Sequence, residues 1–206
     1  MATLKNGFLS GKLGELVAYT RNGRNHLRKR PQRTAPPTQK ELLNRHLFRL
    51  VQQWVTPLSQ FLRQGFRDYS ETIWGANAAK SLIFQQALQR QGTDSYVEPS
   101  LVKVSVGNLA LPETLQAQLN PEGELEFSWS TETAPDSSPR DRIMMLAYNI
   151  PEKCAAYELC GGKRLAGMDI LPLAGYPAGT YHVYAAFVTE DRERRSNSRF
   201  LGVVEV

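Results

Sequence analysis

The chain has 206 residues, 41% of them hydrophobic and 22% charged, and carries a net charge of +5. That is an ordinary composition for a globular protein, and a chain of this length folds without needing a disulfide scaffold. No apolar run approaches the roughly 20 residues that span a bilayer, and Gly7, Gly11, Gly14 and Glu15 interrupt any signal-peptide core, which argues against a membrane-spanning, classically secreted or disordered chain.

Residues 1–33 read as turns and one hairpin. Gly14–Thr20 is a short strand, Asn22-Gly23 is a favoured type I′ turn, and His26–Arg30 is the returning strand. Pro31, Pro36 and Pro37 then impose an extended linker. Over 38–69 the periodicity is helical, and Thr38 with Glu41 makes a capping box. Leu43, Leu47, Leu50, Trp54, Leu58, Phe61 and Gly65 form one face. Arg45, Arg49, Gln52, Thr56, Gln60, Arg63 and Arg67 form a second stripe in phase with it. Pro57 divides this run into a kinked helix or two nearly collinear ones, with Thr56 as cap. A further helix is expected over 72–91, with Ile73, Trp74, Ala76, Ala79, Leu82, Ile83, Ala87 and Leu88 inward and Gly92 at its end. Together these helices suggest a helical hairpin.

From residue 97 the period changes to two. Strands are expected at 101–106, 124–130, 142–149, 155–160, 165–171, 180–189 and 199–206, separated by turn signals such as Pro121-Glu122-Gly123 and Gly161-Gly162. Seven short strands in this spacing suggest an antiparallel β-sandwich. The expected architecture is therefore α+β, with a basic hairpin and helical region at 1–96 and a sandwich at 97–206. The charge divides at the same place. Residues 1–96 hold 15 Lys/Arg and 5 Asp/Glu, whereas 97–206 hold 10 and 15. Such asymmetry suits a polyanion partner, attraction between the halves, or a solvated surface.

Few residues carry recognisable chemistry. His26, His46 and His182 belong to no metal-ligand pair, and no P-loop, dinucleotide fingerprint or nucleophile elbow is present. Glu124 and Glu126 fall on the solvent face of a strand, where carboxylates keep ordinary acidity. Cys154 and Cys160 fit neither a redox motif nor a zinc knuckle. They read as thiols, with a disulfide open if they lie on facing strands. No catalytic residue, cofactor, metal or small-molecule substrate is indicated. The densest functional signal is basic: Arg21, Arg24, Arg28, Lys29, Arg30 and Arg33 beside Tyr19 and His26, with Arg45 and Arg49 extending the patch along the helix. Guanidinium forks suit phosphate oxygens.

Two resemblances add to this. Trp129, Tyr148, the run Gly179–Val188 and Ser196-Asn197-Ser198 make the last 110 residues resemble an immunoglobulin-like or fibronectin type III sandwich, a fold with many functions. Gly11–Tyr19, Gly23, Arg28, Pro31, Pro37-Thr38, Phe61–Phe66, Tyr184–Val188 and Ser196-Asn197-Ser198 make most of the chain resemble an uncharacterised Bacteroidetes family of unknown function. That resemblance implies no activity, cofactor or catalytic residue. The expectation is a non-enzymatic structural or protein-interaction protein that docks on another chain or self-associates. The alternative is nucleic-acid binding through the basic hairpin. A cytoplasmic location is expected, with non-classical export left open.

Overall fold

Asn22 and Gly23 hold φ of 50° and 72°, the left-handed pair that a type I′ turn demands. That turn sets the register of β3 (Leu16–Arg21) against β4 (Arg24–Lys29): Arg21 faces Arg24, Tyr19 faces His26, and Leu16 faces Lys29. The expected single hairpin is too small. β1 (Thr3–Lys5) and β2 (Phe8–Leu13) extend it to a four-stranded antiparallel sheet in the order β1-β2-β3-β4. Gly7 and Gly11 mask these strands in the sequence. Both take positive φ, 75° and 119°, so the apolar pattern breaks where the chain turns and bends. The computed structural model describes residues 3–5, 7–32, 34–67, 69, 75–91 and 94–206. It divides into two compact units, Met1–Leu43 and Asn44–Val206.

The capping box forms as expected. The Thr38 N–H donates to Glu41 Oε2 at 2.8 Å, and the Glu41 N–H donates to Thr38 Oγ1 at 3.3 Å. It opens α1 (Gln39–Val55), which passes through a 3₁₀ turn at Thr56–Leu58 into α2 (Ser59–Gly65). Pro57 lies in the first turn of that 3₁₀ segment. Thr56 does not cap it: its hydroxyl donates back to the Gln52 carbonyl at 2.7 Å. On the apolar stripe Leu47, Trp54, Leu58, Phe61 and Gly65 are buried, whereas Leu43 stays 43% exposed. α3 (Gly75–Leu82) widens into a π-helical turn over Ile83–Ala87. The helix expected to run to residue 91 stops there. The Ala87 carbonyl, which a continuing helix would offer to residue 91, accepts the Glu98 N–H at 2.8 Å instead. Leu88–Gln91 becomes β5 and pairs with β6 (Asp94–Val97). Residues 72–74 and Gly92, expected in this helix and at its end, lie outside the described residues.

Residues 101–106 do not form the expected strand. Their backbone groups go in several directions, so no ladder assembles. The Val104 N–H donates to Ser198 Oγ at 2.9 Å, and the Val106 N–H donates to the Gly65 carbonyl at 3.0 Å. The Ser105 carbonyl accepts the Ser198 N–H, and its hydroxyl donates to the Ser196 carbonyl at 2.8 Å. Ser196-Asn197-Ser198 is thus a clasp for this strap.

The first strand beyond the strap is β7 (Leu115–Leu119). It is followed by β8 (Leu125–Trp129), β9 (Arg142–Asn149), β10 (Cys154–Glu158), β11 (Met168–Leu171), β12 (Thr180–Val188) and β13 (Arg199–Glu205). They form two antiparallel sheets, β11-β8-β7 and β10-β9-β12-β13. One core lies between the sheets. Leu125, Phe127 and Trp129 meet Ile143, Met145 and Ala147 of β9 and Tyr181, Val183, Ala185 and Phe187 of β12. The alternate residues of the same two strands, Met144, Leu146, Tyr148, Tyr184, Ala186 and Val188, pack against Val51, Trp54, Leu58, Phe61 and Ile83 of the helical segment. Period-two alternation sends β9 and β12 into two cores at once. The compact units therefore group most of the helical segment with the strands, whereas the sequence expectation grouped it with the basic hairpin. The fold is mixed α+β.

Candidate interaction surface

Directly opposed residues of an antiparallel pair share a face, so the register sorts the N-terminal sheet into two sides. Lys12 pairs with Val17, Val17 with Arg28, Tyr19 with His26, and Arg21 with Arg24. One face of β2–β4 therefore carries Lys12, Val17, Tyr19, Arg21, Arg24, His26 and Arg28. The other carries Gly11, Leu13, Leu16, Ala18, Thr20, Asn25, Leu27 and Lys29. The first face is basic and aromatic, and the second is largely apolar.

On the basic face the Tyr19 and His26 rings stack with centroids 5.2 Å apart and planes 18° apart. The Arg28 guanidinium lies 5.6 Å from the Tyr19 ring centroid. Arg21 directly opposes Arg24 next to the turn, a like-charge pair that costs stability. None of Lys12, Arg21, Arg24 and Arg28 makes an ion pair among the described residues. The one acidic residue in this part of the chain, Glu15, stands in the β2–β3 turn. It pairs with Lys29 at 3.6 Å, and both side chains are well exposed.

The structure thus brings Arg21, Arg24 and Arg28 together and separates Lys29 from them. Arg30 follows β4, its N–H bonded to the Glu15 carbonyl, and Arg33 lies outside the described residues. Arg45 and Arg49 belong to the second unit. There they flank the exposed Phe48 on α1, which stacks on Phe84 at 6.3 Å and has Lys80 over its ring. Lys12 joins the basic face although the sequence reading omitted it. The signal was available: two-residue turns at Gly14-Glu15 and Asn22-Gly23 fix the pairing of β3 with β2 and with β4 by counting outward, and alternation then sorts the faces.

Several ionisable groups of the second unit are engaged within the fold. Arg164 is wholly buried, its Nε 3.5 Å from Asp141 Oδ2, its Nη2 donating to the Ala110 carbonyl at 2.7 Å, and its guanidinium 4.4 Å from the Phe187 ring centroid. Burial lowers its pKa, and the Asp141 charge partly restores it. Burial raises the Tyr148 hydroxyl to about 12 and pushes the Tyr184 hydroxyl higher still. An open cleft of about 560 Å³ beside β10 and β11 holds Arg142, Glu158, Cys160 and Asp169. Their hydrogen bonds go to nearby backbone: Arg142 to the Gly161 carbonyl, Asp169 from the Gly162 N–H, and Glu158 from the Cys160 N–H. Cys154 and Cys160 are free thiols. Among the described residues no three His, Cys, Asp or Glu side chains gather as metal ligands, and no helix is long and apolar enough to cross a membrane.

The chain belongs to a family of unknown function, DUF6266, which it matches over residues 8–202. No curated protein and no solved structure matches it.

Proposed function

We propose that this is a non-enzymatic interaction protein. In this reading an immunoglobulin-like or fibronectin-III-like sandwich braced by helices is the scaffold, and the N-terminal sheet is the docking element. Strand order supports the scaffold. Lettered in chain order, β7–β13 become A, B, C, C′, E, F and G, and the sheets then run A-B-E and C′-C-F-G, an immunoglobulin-class arrangement. The Tyr181 hydroxyl, near the start of β12, donates to the Pro177 carbonyl at 2.6 Å, as a tyrosine corner does. The stretch Gly11–Tyr19 with Gly23 and Arg28, on which the resemblance to a Bacteroidetes family rests in part, lies within the docking sheet.

One observation carries the docking role. Among the side chains described in β1–β4 only Ala18 is buried, while Leu9, Leu16 and Leu27 remain 45%, 40% and 59% exposed. A strand assembly with so little buried apolar surface is not self-sufficient, and units near this size often depend on oligomerisation. The occupant that fits the apolar face is a second copy of the same chain. That face is electrically balanced, because its one cation, Lys29, is matched by Glu15. Two copies meeting there do not repel, and a two-fold contact places the same leucines opposite each other.

Sedimentation equilibrium of the full chain at several loading concentrations tests this. The expected result is a monomer–dimer equilibrium that a Leu16→Lys, Leu27→Lys double variant shifts to monomer with an unchanged circular dichroism spectrum. A wild-type chain that stays monomeric at hundreds of micromolar overturns the proposal.

A further inference from the structure

We infer that the opposite face of β2–β4 binds single-stranded nucleic acid. This inference rests on other residues than the dimer contact and stands without it. Three features of the face converge. Four cations, Lys12, Arg21, Arg24 and Arg28, point to one side with no acidic residue among them, and the single nearby carboxylate, Glu15, is engaged with Lys29. Arg21 and Arg24 are held opposite each other at the tip, a repulsion that a bound phosphate relieves. Planar groups lie among the charges: Tyr19 and His26 are stacked, and Arg28 lies over Tyr19.

The planar groups decide the class of polyanion. Phosphate alone needs only charge. Unpaired bases add stacking on aromatic rings and on guanidinium planes, which a duplex buries inside itself. Arg24 and Arg28 stand four residues apart on β4, about 13–14 Å along an extended strand, so a single strand lying along β4 meets both. A sheet face with basic and aromatic side chains is a platform of the kind that single strands use. A second protein copy does not fit this face, because two such surfaces repel.

The test is fluorescence anisotropy of labelled 12-mers, oligo-dT and oligo-U, with the full-length chain at 50 and 200 mM salt. Four phosphate contacts to a single strand give a log–log salt slope of about −3, hence roughly a 50-fold loss of affinity over that range. Replacing Arg21, Arg24 and Arg28 with Ala is expected to cut the slope to about −0.7. Tyr19→Ala is expected to weaken binding roughly tenfold with an unchanged slope, because it removes stacking and no charge. Lys29→Ala, on the other face, is expected to stay within about twofold of wild type. Amide shifts of the wild-type protein upon adding oligo-U, confined to residues 12–28, give the same answer without any substitution. Three results overturn the inference: no binding at 50 mM salt, tighter binding of a duplex of equal length, or heparin competing fully while Tyr19→Ala has no effect. Sedimentation reports the dimer separately, so failure of one reading is distinguishable from failure of the other.

Discussion

Replacing Asp141 with Ala removes the counter-charge of the most deeply buried cation in the described structure. The Arg164 side chain is 0% exposed and that of Asp141 2%, with 3.5 Å between Nε and Oδ2. Among the described residues neither Nε nor Nη1 of Arg164 makes a hydrogen bond, so the carboxylate charge is the main offset to burial. At an effective dielectric constant near 20, a pair this close attracts by about 4–5 kcal/mol. Asp141 Oδ2 also accepts the Ser138 N–H at 2.8 Å, and that bond is lost too. The expected destabilisation is about 3–5 kcal/mol, typical when one partner of a buried pair is removed. For a chain of this size that lowers Tm by about 6–20 °C. Urea unfolding followed by tryptophan fluorescence is a suitable assay, because the Trp129 indole donates to the Arg164 carbonyl at 2.7 Å. The double variant Arg164→Met, Asp141→Asn is expected to lose clearly less than the sum of its single variants, since no charge is then stranded. If Asp141→Ala costs under about 1 kcal/mol, or the double variant is additive, the charge of Asp141 does not hold Arg164 in place.

Two further outcomes follow from the same unit. Burial lowers the His182 pKa below its usual 6.5, with Glu98 opposing weakly. The native state therefore favours the neutral ring. The stability this provides is present above about pH 6.5 and declines as pH falls through the lower folded value, by at most about 1.4 kcal/mol per pH unit. Urea midpoints of wild type and His182→Asn, compared from pH 7.5 to 5, are expected to converge toward acid. Parallel curves would exclude His182 as their source. Gly65→Ala places a Cβ against the Val104 carbonyl oxygen and within 3.1–3.2 Å of Ser105 Cα and Cβ. The strap has little freedom to yield, because the Val106 N–H is bonded to the Gly65 carbonyl at 3.0 Å. A loss of about 1–3 kcal/mol is expected in spite of the gain in helix propensity, and an unchanged urea midpoint would mean that the strap shifts.

The legible parts of this chain were those where one local rule decided the outcome. Thr38 and Glu41 announced a helix start, and Asn22-Gly23 announced a hairpin with its register. Leu125, Phe127 and Trp129 announced an inward strand face. Other parts depended on contacts distant in sequence. Ala87 continues the helical spacing of Ala79 and Ile83, yet Glu98 captures the Ala87 carbonyl and the chain turns into a strand at Leu88. Leu101–Val106 alternates like a strand, but its partners are Gly65, Ser196 and Ser198. One signal was present and unused. Ile143–Tyr148 and Tyr184–Val188 are continuous apolar runs rather than alternating ones, which marks strands covered on both faces. A lone sandwich does not need such strands, and the helices that pack against Met144, Leu146 and Tyr184 explain them. The candidate site was legible as a cluster of arginines. Its division into two faces required the register.

The same β geometry meets opposite fates in the two units, and charge follows burial. β9 and β12 are covered on both sides, and from Ile143 to Tyr148 and from Val183 to Val188 they carry no ionisable side chain other than tyrosine. β4 has every residue exposed, and three of its six are cationic. Counted by unit, Met1–Leu43 holds nine Lys/Arg and two Asp/Glu, a net of +7, whereas the remainder holds 16 and 18, a net of −2. The positive excess therefore belongs to the part of the chain least able to stabilise itself, on strands where Arg21 opposes Arg24. Local features that work against folding persist where another gain offsets them. A solvated edge protected from aggregation needs a few cations anywhere along it. It does not need them gathered with Tyr19 and His26 on one face while leucines occupy the other. In the reading proposed above, that segregation serves two separate contacts, one apolar and one anionic.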